Sequence, residues 1–345
     1  MRYKLFGQTG LRVSELVLGT GNFGTGWGYG TEPAEARKIL DGYLDAGGNF
    51  IDTANAYQAG QSEQILGEAL VGRRDELVIA TKFAMPVGST SGILTTGNSR
   101  KAMVVSVEQS LKRLKTDYVD MLWIHMADGV TPAEEIVRGF DDLVRAGKIL
   151  YAGLSNFPAW RIARAATIAE LRGAAPIAGI QFEYSLVERS GEAEIHAAGK
   201  ALGLGMVAWS PQGGGVLTGK YRQGETGRRE GFGGAVFQPE NSPQRTAVLD
   251  AVIAIAKDVA AQPGEVALAW VASKGTLPII GPRTLAQLRG NLASLEIKLS
   301  PEQLARLDEV SALPLTFPYT ALKGAQDGFT GGKAELFDAP ADTVS

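Results

Sequence analysis

No cysteine occurs among the 345 residues, and there are only two histidines, His125 and His196. The first absence excludes a disulfide framework, thiol catalysis and any Cys-ligated metal. It also fits a protein kept in a reducing compartment. Two histidines far apart in sequence do not make a metal site, so no metal is expected. Positive charge is not in excess: 34 Lys and Arg against 37 Asp and Glu leave a formal charge of −3. That balance offers little to neutralise a phosphate backbone, so nucleic acid is not an expected partner. No run of eighteen apolar residues is present, so no membrane-spanning helix is expected. The opening MRYKLFGQTG has no apolar signal-peptide core, and a cytoplasmic location is the expectation. Glycine is abundant instead: 44 residues, about 13% against a usual ~7%.

Short apolar runs alternate with longer amphipathic ones. The strand-like runs are Glu15–Thr20, Asn49–Thr53, Leu77–Phe83, Val119–His125, Ile149–Ser155, Ile177–Tyr184, Gly205–Ser210 and Leu277–Gly281. Each is apolar almost throughout, as in parallel strands covered on both faces. Helices are predicted between them. Pro33–Ala46 carries Ala36, Ile39, Leu40, Tyr43 and Leu44 on one face and stops at Gly47-Gly48. Arg100–Leu114 has Val104, Val107, Leu111 and Leu114 in register. Thr131-Pro-Ala-Glu134 and Ser300-Pro-Glu-Gln303 both read as capping boxes that open helices. Eight β-then-α units argue for one α/β domain over residues 1–345, a (β/α)8 TIM barrel with an N-terminal hairpin and long loops at its C-terminal mouth. The runner-up is an open doubly wound sheet, for which Gly19-Thr20-Gly21-Asn-Phe-Gly24 has the spacing of a dinucleotide turn. No predicted helix opens at Gly24, so a glycine loop over a barrel mouth explains the segment as well. Loops 84–99 and 211–244 and a tail, 312–345, depart from the regular spacing. They are expected to line a pocket.

Ionisable groups gather where strands end. Asp52 closes the second strand-like run, with Tyr57 just beyond; Lys82 closes the third and His125 the fourth. Each has a plainer reading alone: a turn residue, half of a structural ion pair, a loop tyrosine, a core histidine. In a barrel they converge on one mouth. There a lysine beside a carboxylate keeps its charge, and a cation near a phenol makes it a better proton donor and acceptor. An imidazole can hold a carbonyl oxygen. This set suits protonation of a carbonyl while a nicotinamide cofactor delivers hydride. Trp27, Tyr29, Phe83 and Trp123 would add apolar walls beside Tyr57 and His125, pointing to a substrate with an apolar body.

Several of these stretches resemble the aldo-keto reductase family. They are Asp52-Thr-Ala-Asn-Ala-Tyr57 with Gln61-Ser-Glu63, Thr81-Lys82, Leu114 to Asp120 leading to Ile124-His125, and Gly153-Leu-Ser-Asn-Phe157. The likeness is nearest to the branch of bacterial reductases and potassium-channel β subunits. The resemblance implies a coenzyme site. In it, Ser155, Asn156 and Gln181 hold the carboxamide of the nicotinamide, and Trp209 offers a flat face where the family often has Tyr. Ser210, Gln212, Gly214 and Lys220 belong to the loop over the pyrophosphate, while Gly281, Arg283, Gln287 and Asn291 take the adenosine end. Gly19, Thr20, Gly21 and Asp52 complete the set. Arg283 suits a 2′-phosphate, which favours NADPH over NADH. Gln287 could equally cap a helix, and Lys220 could be a solvated loop charge. After His125 the family often continues with an aromatic and an Asp; here Met126-Ala127-Asp128 follows.

The resemblance therefore implies NADPH-dependent reduction of an aldehyde or ketone, with a small-molecule carbonyl as the partner. Two rivals remain at this stage. One is an NADPH-binding regulatory subunit with slow turnover. The other is a barrel isomerase or aldolase using Lys82 as a Schiff-base nucleophile.

Overall fold

The computed structural model describes residues 1–225 and 238–338. Eight parallel strands close into a barrel: β3 (Val17–Gly19), β4 (Phe50–Asp52), β5 (Val78–Phe83), β6 (Val119–Ile124), β7 (Ile149–Ser155), β8 (Ile177–Glu183), β9 (Gly205–Trp209) and β10 (Leu277–Ile280). The last strand pairs with β9 on one side and with β3 on the other, so the sheet has no free edge. That closure overturns the open-sheet alternative. The glycine-rich stretch after β3 opens no helix at Gly24. It loops back so that the Gly24 N–H meets the Thr31 carbonyl at 2.9 Å, and α1 begins only at Pro33.

All eight strands match the apolar runs because the two sides of the barrel wall make one demand. Val17, Phe50, Val78, Met121, Trp123 and Val207 fill the interior, and the residues between them in the strands pack against the helices. Those helices include α1 (Pro33–Asp45), α2 (Gln61–Ala69), α3 (Arg100–Leu114), α4 (Ala133–Arg145) and α5 (Ala159–Arg172). After β8 the chain makes a π-helical turn, Glu192–His196, before the short α6 (Ala197–Ala201). Beyond β9 come α7 (Pro243–Asp258) and α8 (Pro263–Ser273); beyond β10 come α9 (Leu285–Ala293) and α10 (Pro301–Val310).

The expected N-terminal hairpin is present as β1 (Tyr3–Leu5) and β2 (Arg12–Ser14), paired antiparallel. Its connecting turn carries Phe6, which enters the barrel floor edge-on to Phe50 at 5.7 Å and to Trp123 at 6.4 Å. Strands β8 and β9 make room with glycine. A Cβ on Gly179 or Gly205 would lie 2.5 Å from the Phe6 ring. Trp123 is fully buried in this interior layer, so it is part of the floor and does not line the cavity at the C-terminal mouth.

Two local expectations fare differently. Ser300 and Gln303 form both halves of the capping box at α10. Thr131 does not cap α4, whose N-cap is Pro132. Its hydroxyl instead donates to Asp128 at 2.6 Å, and Asp128 also accepts the backbone N–H groups of Asn98, Val130 and Thr131. Burial raises that carboxyl, but these bonds more than offset it and hold it at about 2. A ready carboxylate outcompeted the capping geometry for the threonine. The tail forms a further helix, α11 (Tyr319–Phe329), tied by the Tyr319 hydroxyl to Glu194 at 2.8 Å. The middle of the long loop (226–237) and the end of the tail (339–345) fall outside the described residues.

Candidate active site

Strand register brings the ionisable groups together. Asp52 is the last residue of β4 and pairs with Gly19 on one side and Ala80 on the other. Lys82 lies two residues further along β5, on the same inner face, and His125 follows β6 directly. Tyr57 stands in the turn after β4, followed by Gln58 and Ala59 in left-handed backbone (φ 52° and 56°).

Lys82 is completely buried, yet its ammonium is fully satisfied. It donates to Asp52 Oδ2, to the Thr53 carbonyl at 2.9 Å and to the Tyr57 hydroxyl at 3.0 Å. Burial alone would depress this lysine, but the carboxylate and the phenol outweigh it and hold it above the usual lysine range. The second carboxylate oxygen of Asp52 accepts from Gln181 Nε2 at 3.0 Å. Because Lys82 donates to the phenol oxygen, the hydrogen of Tyr57 must point elsewhere, and Tyr57 lines a cavity. The His125 ring meets Tyr57 edge-on at 5.6 Å. Burial first, and the Lys82 charge second, push His125 down to about 3, so its imidazole is neutral near pH 7. Its Nδ1 is buried without a hydrogen-bond partner. A neutral imidazole offers one N–H, suited to a carbonyl oxygen.

The cavity has a volume of about 630 Å3 and opens at the C-terminal ends of the strands. Gly19, Gly21, Asp52, Tyr57, His125 and Trp27 line it, as do Asn156, Gln181 and Trp209. So do Ser210, Gln212, Gly214 and Lys220 after β9, and Gly281, Arg283, Gln287 and Asn291 after β10. Four expected residues stand apart. Lys82 sits behind Tyr57 and Asp52. Thr20 is buried in a hydroxyl chain with Ser62 (2.8 Å). Ser155 is buried beneath the wall, accepting from Asn156 Nδ2 at 3.0 Å. Phe83 is a correction: it follows Lys82 in the same strand, so the alternation that turns Lys82 inward turns Phe83 out into the helix-side core. Within the described residues, neither loop 84–99 nor the tail lines the cavity, against expectation; Met126 and part of the 211–225 stretch do. Sequence reasoning missed Asn22, Gln262, Gly264 and Glu265 on the same wall. The Gln262-Pro-Gly-Glu265 capping box was a signal for the last of these.

The lining fits a nicotinamide dinucleotide. Gln181 gives its N–H to Asp52, which leaves its oxygen as the acceptor a carboxamide NH2 requires. The indole N–H of Trp209 donates to Asn156 Oδ1 at 2.9 Å, fixing a flat aromatic face on the wall. Two cations, Lys220 and Arg283, reach the same cavity, the guanidinium lying 4.5 Å above the Tyr29 ring. Gln287 also caps: its Oε1 accepts the Arg283 N–H at 2.8 Å.

The fold and this lining agree with comparison to known proteins. A model of the aldo/keto reductase family matches residues 15–312. An uncharacterized oxidoreductase of Bacillus subtilis, YrpG, is 38% identical over 321 residues, covering 90% of this chain and 96% of its own. Norsolorinic acid reductase stcV of Emericella nidulans is 37% identical, covering 91% and 82%. An aryl-alcohol dehydrogenase [NADP(+)] of Phanerodontia chrysosporium is 33% identical, covering 92% and 88%. Among the described residues, no helix is long and apolar enough to cross a membrane. The chain belongs to the aldo/keto reductase family and is an NAD(P)H-dependent oxidoreductase of the kind that reduces small carbonyl compounds.

Proposed function

We propose that the protein reduces an aldehyde or ketone to an alcohol, with NADPH as the reductant and Tyr57 as the proton donor. When bound, the dihydronicotinamide supplies the hydride. The observation that carries the reading is the ammonium of Lys82, which bonds Asp52, Thr53 and the Tyr57 oxygen at once. Held this way, Tyr57 directs its proton into the cavity, and the buried cation stabilises the phenolate left after transfer. His125, neutral and half-buried, donates to the carbonyl oxygen and orients it. Gln181 locks Asp52, so the carboxylate stays in place as charge moves. The guanidinium of Arg283, with Lys220 on the same wall, favours the 2′-phosphate of NADPH. A relative whose name carries NADP(+) supports that choice. The aryl-alcohol and norsolorinic acid relatives, together with Trp27 on the wall, favour a carbonyl with an aromatic body. The lack of cysteine is in keeping with a cytoplasmic setting.

The aldolase alternative loses ground on the same geometry. A Schiff base needs a free amine lone pair, and Lys82 is held as an ammonium with all three hydrogens engaged. The deciding experiment is Tyr57→Phe. Carbonyl reduction should fall by at least ~10²-fold, the low end of what a positioned general acid contributes. NADPH binding, followed by fluorescence titration, should stay close to wild type. Undiminished reduction by Tyr57→Phe removes this residue from the chemistry.

A further inference from the structure

Gln58, directly after Tyr57, is fully buried, and its amide is completely used by one segment of chain. Its Nε2 donates to the Gly21 carbonyl at 3.0 Å and to the Tyr29 carbonyl at 3.0 Å, while its Oε1 accepts the Trp27 N–H at 3.0 Å. Only one orientation of the amide satisfies all three. Gln61 adds a second anchor, its Oε1 accepting the N–H groups of Thr25 (2.8 Å) and Gly26 (3.1 Å). The residues so held, 19–31, form an arch between β3 and α1. The arch folds closely on itself and on its anchor: a Cβ at Gly30 would lie 1.9 Å from the Gly24 oxygen, and one at Gly26 2.5 Å from the Gln58 oxygen.

Different parts of the arch touch different parts of the cavity. Within the arch, Trp27 meets the Tyr57 ring edge-on at 6.1 Å. Nearer its two ends, Asn22 Nδ2 donates to the Gly281 carbonyl at 2.8 Å and the Thr31 hydroxyl to the Arg283 carbonyl at 3.2 Å, while the Arg283 guanidinium covers Tyr29. Gln58 is therefore bonded to the Trp27 N–H itself and to carbonyls on either side of it, those of Gly21 and Tyr29. It is set in left-handed backbone that a non-glycine residue adopts only under constraint.

We propose that Gln58 is a positioning residue: by clamping the 19–31 arch it stands Trp27 against Tyr57 as a substrate wall and links that wall to Arg283. The inference rests on the reading of Tyr57 and Arg283 given above. It predicts that the arch stiffens when NADPH occupies the Arg283 side and that this stiffening reaches Trp27.

The test uses the full chain with Gln58→Met, which keeps the volume and removes the amide. Hydrogen exchange is followed over residues 21–31, without and with NADPH and with no carbonyl present. Exchange at Trp27 should quicken at least ~10-fold in the variant, the order expected for one lost hydrogen bond. The slowing by NADPH seen in wild type should no longer reach Trp27. In turnover, KM for the carbonyl should rise about 10-fold with kcat within about 3-fold, because the wall is lost while Tyr57 and Lys82 stay. Gln58→Glu keeps an acceptor for the Trp27 N–H but can donate to one of the two carbonyls only when protonated, so its KM should move toward the wild-type value as pH falls. Unchanged exchange in Gln58→Met overturns the proposal. So does quicker exchange with an unaltered KM, which leaves the clamp structural only, and so does a loss confined to kcat. Should Gln58→Met fail to fold, Trp27→Leu on the exposed part of the arch must give the same KM rise, and an unaltered KM sinks the wall. If wild type reduces no carbonyl, the proposed function fails, and exchange with NADPH alone still decides whether Gln58 holds the arch.

Discussion

Lys82→Met isolates the energetics of the buried pair. The substitution keeps the length of the side chain and removes its charge, leaving Asp52, only 1% exposed, with Gln181 as its one remaining side-chain donor among the described residues. Breaking a buried ion pair from one side costs about 3–5 kcal/mol, because the surviving charge cannot regain water. At ~2.1 cal/mol/K per residue, 345 residues unfold with an entropy of about 0.7 kcal/mol/K, so the loss corresponds to about 4–7 °C in Tm. Replacing both partners by neutral isosteres, Asp52→Asn with Lys82→Met, removes the stranded charge and should recover most of that loss. The coupling in the double-mutant cycle should exceed about 2 kcal/mol. Neither variant should turn over, so the two readouts separate: stability returns and catalysis does not. Calorimetry at pH 7 on the four proteins decides it. A single-variant shift under about 2 °C, or a double variant as unstable as the sum of the singles, would refute the reading of Lys82 and Asp52 as a mutually dependent buried pair.

Arg283→Ala should weaken NADPH by about 1.5–3 kcal/mol, the worth of a charge-assisted contact, and weaken NADH much less; equal losses in parallel titrations would take the 2′-phosphate away from this residue. His125 carries a pH signature. Unfolded imidazole takes up its proton near ~6.5, whereas the folded group waits until about 3. The unfolded state therefore binds one more proton across that interval, and stability drops as pH falls through it, by up to about 1.4 kcal/mol per unit. Urea unfolding at pH 7 and pH 5 should show a shallower loss in His125→Gln than in wild type, and identical losses would mean the imidazole is not buried neutral. The same shift predicts no limb near pH 6.5 in kcat/KM from this residue, measurable in a pH–rate profile.

The barrel was legible because its strands obey one rule from end to end. A strand covered on both faces is apolar throughout, so Val119–Ile124 or Ile177–Glu183 stands out against its neighbours, and a charge at its end, such as Lys82 or the histidine after Ile124, is conspicuous. Phe83 shows the limit of reading by proximity. It adjoins Lys82, but the pleat sends adjacent side chains to opposite faces, and the period of two could have placed it correctly. Thr131 shows the limit of reading by local pattern, because the capping box lost to an Asp128 carboxylate already fixed by Asn98 across a turn. The clamp by Gln58 left no trace in sequence. Its partners lie 29 to 37 residues away, and a buried glutamine has no periodicity to betray it. In the tail, α11 exposes much of its length, so it lacked the apolar stripe by which the other helices were found.

The ring of Phe6 has a consequence for how the molecule is approached from outside. With that aromatic stopper seated against Phe50 and Trp123, the cylinder is a cup and not a tube. The cavity that reaches Asp52 and Tyr57 opens at the C-terminal ends of the strands, and the opposite end of the cylinder is packed by the Phe6 ring. The stopper belongs to the first fourteen residues, ahead of the region shared with the family. The same fourteen residues also carry Ser14, whose hydroxyl bonds Tyr43 and donates to the Leu16 carbonyl, so the stopper is tied to the wall it closes.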